Sequence, residues 1–363
     1  MTDREQQILA LVREDPMISQ QAIARRLGIT RSSVAGHIMK LTKKGAIKGR
    51  AYVLGAETFV IAIGGANIDI HGKPAAALQL RDSNPGFVTM SAGGVARNVA
   101  EVLANLAIDC RLIAAVGDDE QGQRIIDEGQ QSGIDMQHVV RIGGARTSVY
   151  LSILDQTGDM HVAINDMAVT DGLTVEHLRT HAQLLQESAL VIIDANVPGT
   201  TLEWLAENTA GKTVFADTVS VAKAPRLNRC LASIHTLKTN RAEVAALTSS
   251  KANTRKQLES AAGRLHGAGV QRVFVTLGDE GVFYSTGAQM AVIRPGRRRR
   301  KVANSGGAGD AFLAGLVCCW LDGLSLTKSI RYSMTLAEEA LQSDTTIRPQ
   351  NSPSQRVGAG HAG

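Results

Sequence analysis

Five short, nearly uninterrupted apolar runs constrain the fold of this chain more than any other feature: FVIAIGG (59–65), RLIAAVG (111–117), LVIIDAN (190–196), KTVFADT (212–218) and RVFVTLG (272–278). A strand buried on both faces reads as such a run rather than as an alternation of apolar and polar residues. Helical patterns separate several of them, among them VARNVAEVLANLA (95–107) and SAAGRLHGAG (260–269). Strands alternating with helices predict an α/β domain of three layers, α/β/α, with a mainly parallel sheet. Ligands of such sheets bind beyond the carboxyl ends of the strands. The runs end in Asn67 and Asp69, in Asp194 and Asn196, in Asp217 and Thr218, and in Thr276 and Gly278, all small or polar. One stretch breaks the alternation: TSVYLSILDQTGDMHVAIND (147–166) reads as two antiparallel strands about a turn at 156–159, a small β lid over the site.

At 363 residues the chain has room for such a domain and an appendage. Aromatics are only 3%, so the core is expected to be aliphatic. No apolar run approaches the roughly 20 residues that span a bilayer, and the chain begins polar and acidic (MTDREQQ), which predicts a cytoplasmic protein with no membrane partner. Cys110, Cys230, Cys318 and Cys319 show no metal-ligand spacing and are expected to be reduced packing residues.

Charge is unevenly distributed. Residues 1–55 hold ten Lys/Arg against four Asp/Glu, whereas the remainder holds 29 against 30. The basic segment reads as three helices: one ended by Asp15-Pro16, one capped by Ser19 and broken at Gly28, and one capped by Thr30 and ended by Gly45. Ala46 to Leu54 then reads as a hairpin wing with Lys48 and Arg50 near its tip. By its pattern this stretch resembles a bacterial winged helix-turn-helix domain. Arg31, Ser32 and Ser33 then stand at the start of the recognition helix, where small polar and basic side chains reach base edges, while Lys40, Lys43, Lys44 and Arg50 neutralise duplex DNA phosphates. A dimerisation or docking module that never touches DNA fits the same pattern. The division expected is 1–55 for this domain, 59–343 for the α/β domain and 344–363 for a disordered tail.

The stretch that carries most chemistry is NSGGAGDAFLAGLVCCWL (304–321), a glycine-rich turn leading into an apolar helix. Glycines let the backbone turn tightly and present N–H groups, which with the positive helix terminus make an anion site. Asp310 stands at the start of that helix, where it can take a proton from a hydroxyl beside the anion. Phosphoryl transfer requires such a base in line with the phosphorus, and dipoles aimed at the transferring oxygens. A structural cap is the alternative. No Lys-Ser/Thr pair follows the glycines, so the turn is not a Walker A loop. In SAGGVARNVAEVLANLA (91–107), Gly93 and Gly94 precede a helix that carries Asn98, able to donate to and accept from hydroxyls or merely part of a broken helix start. Asn67 and Asp69 can likewise bind a ribose diol or satisfy local backbone.

Together these stretches resemble the ribokinase or PfkB family of carbohydrate kinases over about Phe59 to Ser343. Gly93, Gly94 and Asn98 match its first signature, and GAGDAF (Gly307 to Phe312) matches its second. The resemblance implies a ribokinase-like fold and ATP-dependent phosphorylation of an alcohol. It makes Asp310 the catalytic base and Gly307, Ala308 and Gly309 the anion hole, and it gives Asn67, Asp69, Gly93, Gly94 and Asn98 to the sugar. LKTNRAEV matches the family's Asn-x-x-Glu motif at Asn240 and Glu243, which places Mg2+ near the phosphates, with Glu243 acting through water. Thr276 and Gly278 match the nucleotide-binding strand end, beside Gly307 and Gly309. Two positions depart from the pattern: Thr239 replaces the usual Pro, and Asn304-Ser305 stands where Asp-Thr is common, which leaves a K+ site in question. DSNPG (82–86) with SAGGVARN looks most like pseudouridine kinases, while DSNPG is also a plain turn sequence. Kinases for other nucleosides or for simple sugars compete. RRRRK (297–301) is a solvated loop or an electrostatic aid to ATP. Relatives often dimerise through the lid, so a homodimer is expected. Beside an active kinase stand two other readings: a transcriptional regulator that uses the kinase fold as a ligand sensor, and an enzyme whose appendage only oligomerises it.

Overall fold

The computed structural model of the chain describes residues 1–47, 58–155, 160–296 and 307–342. It divides into two compact units, Met1–Thr58 and Phe59–Gly363.

The first unit contains helices α1 (Asp3–Glu14), α2 (Gln20–Leu27) and α3 (Arg31–Lys43). Each begins where a hydroxyl side chain satisfies an orphan N–H. Thr2 and Glu5 form a capping box, Ser19 Oγ accepts from the Ala22 N–H at 3.1 Å, and Thr30 Oγ1 accepts from the Ser33 N–H at 3.1 Å. Gly28 ends α2 in the left-handed conformation. Ile8, Val12, Ile23, Val34, Leu41 and Ile47 fill the space between the helices. The expected wing beyond Ile47, with Lys48 and Arg50, lies outside the described residues, as do the links at 55–57, the lid turn at 156–159, the RRRRK run, Asn304 to Gly306 and the 344–363 tail.

In chain order the second unit runs β1 (Phe59–Ile63), β2 (Asn67–Pro74), β3 (Gly86–Gly93), α4 (Val95–Asn105), β4 (Asp109–Ile113), β5 (Ala115–Gly117), α5 (Glu120–Gln131), β6 (Val140–Ile142), β7 (Val149–Leu154) and β8 (Met160–Asp166). There follow α6 (Val175–Arg179), α7 (Ala182–Glu187), β9 (Leu190–Asp194), α8 (Gly199–Asn208), β10 (Val214–Asp217), β11 (Thr236–Asn240), α9 (Arg241–Leu247) and α10 (Arg255–Gly267). Last come β12 (Arg272–Thr276), β13 (Val282–Ser285), β14 (Met290–Ile293), α11 (Ala308–Leu321) and α12 (Leu326–Gln342).

Eight strands form one sheet in the order β14-β13-β12-β11-β10-β9-β1-β4. The six from β12 to β4 are parallel, and β13 and β14 extend the edge antiparallel. Side chains alternate across a strand, and β1 shows the consequence. Phe59, Ile61 and Ile63 belong to the core beneath α6 to α10, while Val60 and Ala62 belong to the core beneath α4, α5, α11 and α12. Both faces are covered, which is why the strands read as unbroken apolar runs. The four cysteines are buried and unpaired. Among the described residues no helix is long and apolar enough to cross a membrane.

The lid is larger than the sequence suggests. It is a four-stranded sheet, β3-β2-β7-β8, rather than the pair β7-β8 alone. The run Asn67 to Pro74 pairs antiparallel with β3 and parallel with β7. β3 was illegible because Gly86 to Ser91 is exposed throughout and carries no alternating pattern. The run 111–117 also splits, its end forming β5, which pairs with β6 in a separate ribbon.

Candidate active site

The site is assembled where β1, β9, β10, β11 and β12 end and where α4 and α11 begin. Asp194, the last residue of β9, ties the first pieces together. Its Oδ2 accepts from the Gly65 N–H at 2.9 Å and the Ala96 N–H at 3.0 Å, and its Oδ1 accepts from the Asn196 N–H at 2.8 Å. One buried carboxylate thus holds the turn after β1 against the first turn of α4, where a negative charge is favoured by the helix dipole. Gly94, at φ 101°, makes that approach possible: a side chain there would strike the Gly65 carbonyl and Ala66.

Of the residues expected to hold a sugar, Asn67 Nδ2 donates to Asp69 Oδ1 at 2.6 Å. Gly93 lies opposite Asn67 in the β2-β3 register, and a side chain at 93 would fill the place of the Asp69 carboxylate. Burial raises the Asp69 pKa, and the hydrogen bond from Asn67 opposes it. From α4, Asn98 Nδ2 donates to Asp310 Oδ2 at 2.9 Å, across 212 residues of sequence. The two glycine-led motifs therefore meet at one hydrogen bond.

Asp310 lies in the first turn of α11, 8% exposed. Gly307 precedes the helix in the left-handed conformation, and no side chain among the described residues caps it. The first N–H groups of a helix have no intrahelical acceptor, so those at the start of α11, beside Asp310, are available to an anion. Burial and then the negative charge of Asp217 push the Asp310 pKa up to about 7, against the pull of Lys238 and the Asn98 hydrogen bond. A carboxyl that exchanges its proton near neutrality suits a general base.

Asn240 and Glu243 meet as well, but as a capping box on α9. Asn240 Oδ1 accepts from the Glu243 N–H at 2.9 Å, and Glu243 Oε2 accepts from the Asn240 N–H at 3.1 Å and from Thr218 Oγ1 at 2.5 Å. Thr276 lies opposite Asn240 in the β11-β12 register and donates to the Thr239 carbonyl at 3.3 Å. Thr276, Gly278, Ala308 and Gly309 line one open cleft of about 280 Å³ together with Phe312, Val282 and, from α12, Met334, Ala337, Glu338 and Leu341. An apolar slot that ends at a helix N-terminus has the chemistry for a planar base and its phosphates. Among the described residues no group of three or more His, Cys, Asp or Glu is arranged to hold a metal.

Lys238 escaped the sequence reading. It is 8% exposed, and its Nζ is 2.8 Å from Asp217 Oδ2. The available signal was a lysine in a strand otherwise buried, TLKTN. On the first unit, Arg31, Ser32, Ser33, Lys40 and Lys43 are exposed on α3, away from buried Val34, Ile38 and Leu41. Lys44 is exposed as well, and its Nζ pairs with the buried Glu5 at 2.8 Å.

The winged helix-turn-helix DNA-binding family model matches residues 1–48, and the chain carries such a domain. An uncharacterized sugar kinase of Escherichia coli (strain K12) is 37% identical over 351 residues, 96% of this chain and 96% of that protein. The pseudouridine kinase of the same organism is 37% identical over 292 residues, 80% of this chain and 93% of that protein. A solved carbohydrate kinase from Agrobacterium tumefaciens superposes with TM-score 0.70 at 28% identity, covering 83% of this chain and 96% of that one. The pfkB family carbohydrate kinase model matches residues 57–353, well over half of the chain, and with the α/β sheet and its two glycine-led helices this makes the chain a member of the pfkB family of carbohydrate kinases, phosphotransferases with an alcohol acceptor.

Proposed function

We propose that the chain is an ATP-dependent kinase for the ribose 5′-hydroxyl of a nucleoside, with pseudouridine the first candidate. The observation that supports this best is the Asn98–Asp310 hydrogen bond, which sets the Asn98 amide against an aspartate at a helix N-terminus. Asp69 and Asn67 stand on the lid side with polar atoms for a diol. The 37% identity to a pseudouridine kinase, together with DSNPG and SAGGVARN, supports the acceptor.

In this reading the acceptor oxygen attacks the γ-phosphorus while Asp310 takes its proton. The bond to the oxygen bridging the β-phosphate breaks, and ADP leaves. The N–H groups of Gly307, Ala308 and Gly309 receive the charge that gathers on the transferring oxygens. Thr276 and Gly278 line the nucleotide cleft. Mg2+, when bound, would neutralise phosphate charge. The donors present fit a mostly water- and phosphate-bound ion, because Asn240 and Glu243 are engaged on the backbone of α9 and leave one carboxylate oxygen to act through water. The positions relevant to K+, Asn304 and Ser305, lie outside the described residues.

A second reading adds to the first: residues 1–55 bind duplex DNA and make the kinase a regulator, since α3 presents Arg31, Ser32 and Ser33 beside exposed Lys40 and Lys43. The outer face of the lid also supports a homodimer, with Val88 70%, Val162 49% and Ile164 65% exposed. The test of the main reading is a screen of purified chain with Mg-ATP against pseudouridine, inosine, guanosine, adenosine, ribose and fructose, with the product's phosphate position mapped by NMR. Faster turnover of ribose or fructose than of every nucleoside would overturn the acceptor assignment.

A further inference from the structure

Four buried carboxyl groups, Asp194, Asp217, Glu243 and Asp310, gather where β9, β10 and β11 end, and Lys238 is the buried ammonium among them. A charge in that environment is costly unless it is paired. Lys238 is held from two sides. Asp217 Oδ2 faces its Nζ at 2.8 Å, while Asp217 Oδ1 accepts from the Val219 N–H at 2.7 Å. Val219 has φ 63°, a left-handed conformation that a β-branched residue adopts only under constraint. On the other side is Gly309: any side chain there would run into Lys238 Nζ and Cε. Glycine at 309 is therefore what leaves room for the ammonium beneath the first turn of α11, one residue from Asp310.

The charges facing Asp310 are Asp217 from β10, Asp194 from β9 and Lys238 from β11, with the Asn98 amide of α4 as hydrogen-bond donor. Glu243 from α9 acts on Lys238. Two of the three charged neighbours oppose ionisation of Asp310, and one favours it.

We propose that Lys238 is a positioning residue for phosphoryl transfer: clamped by Asp217 under Gly309, its ammonium supplies the positive charge that holds Asp310 as a carboxylate, ready to take the acceptor's proton. This rests on the reading of Asp310 as the base. It also gives Asp217 a second task, fixing where the ammonium stands, and gives the strained turn at Val219 a reason to be kept.

The experiment compares full-length wild type, Lys238→Met, Lys238→Arg, Asp217→Asn and Asp310→Asn. Each is assayed with Mg-ATP and whichever panel acceptor the wild type phosphorylates fastest, over roughly pH 5 to 10, with thermal melts to establish folding. In Lys238→Met the acid limb of the rate profile moves up by about one unit or more. Turnover at neutral pH then falls roughly tenfold or more, the alkaline plateau falls much less, and the KM for ATP stays within about threefold. Lys238→Arg keeps the limb near the wild-type position. Asp217→Asn removes a like charge and the clamp together, so it serves as a folding control, and Lys238→Gln, assayed in the same way, carries the test if Lys238→Met does not fold: its limb moves up as well. A Lys238→Met or Lys238→Gln profile lowered by one factor at every pH overturns the proposal. Asp310→Asn keeps the two failures apart: if it retains wild-type turnover, the base itself is misassigned. If it is inactive while the Lys238→Met limb is unmoved, only the role of Lys238 falls.

Discussion

At the scale of the residue, the proposed chemistry rests on Asp310, and its environment makes two measurable statements. With its pKa near 7, it is the ionised fraction that works, so kcat/KM is expected to rise with pH through about 7 and level off above it. Asp310→Asn should lower turnover by about 10² to 10⁴ while nucleotide binding survives. Stability moves the opposite way. The folded pKa lies above the ordinary value of 3.8, so the folded state binds the proton more tightly; the contribution to stability is full at low pH and is lost as pH rises through about 7. Asp310→Asn should therefore raise Tm relative to wild type more at pH about 8 than at pH about 5, a difference readable by calorimetry. Gly94→Ala is expected to lose both activity and stability, because φ 101° and the Gly65 carbonyl leave no place for a methyl group. Asp310 was legible because a glycine-rich turn entering an apolar helix is written in consecutive residues. Lys238 was not, because its meaning depends on Asp217 and Gly309, which are distant in sequence.

Among the elements, the parallel strands were legible for a physical reason: burial on both faces removes polar residues from the strand, and four of the five runs then lead into the polar residues of the candidate site. The lid lacked that signature, since one of its strands is exposed along nearly its whole length and owes its pairing to β2. Its outer face makes a prediction of its own. Val162→Lys with Ile164→Lys should leave a monomer by light scattering if that face joins two copies, and an unchanged dimer would place the contact elsewhere. In the first unit, α3 has the composition of a groove-reading helix. DNA affinity should fall steeply with salt, Arg31→Ala should weaken specific more than non-specific binding, and Lys43→Ala should weaken both alike, as fluorescence anisotropy at several salt concentrations would show. Lys44 is expected to contribute less to DNA than its place in the sequence suggests, because Glu5 holds it.

For the molecule as a whole, a kinase domain and a winged helix-turn-helix in one chain predict linkage. If nucleoside binds the DNA-competent and DNA-incompetent states unequally, a coupling of about 1 to 3 kcal/mol would change operator affinity roughly 5- to 150-fold. Asp310→Asn, which should bind nucleoside without turning it over, would retain that response. The proposed reaction depends most on one hydroxyl, one aspartate and one phosphoryl group. Its most direct test is the initial rate of phosphate transfer from Mg-ATP to pseudouridine by the full-length chain and by Asp310→Asn, with the product identified by NMR. The expected result is pseudouridine 5′-phosphate from the wild type and a rate at least about 10² lower from the variant, whereas turnover by the variant within about a factor of two of wild type would contradict it.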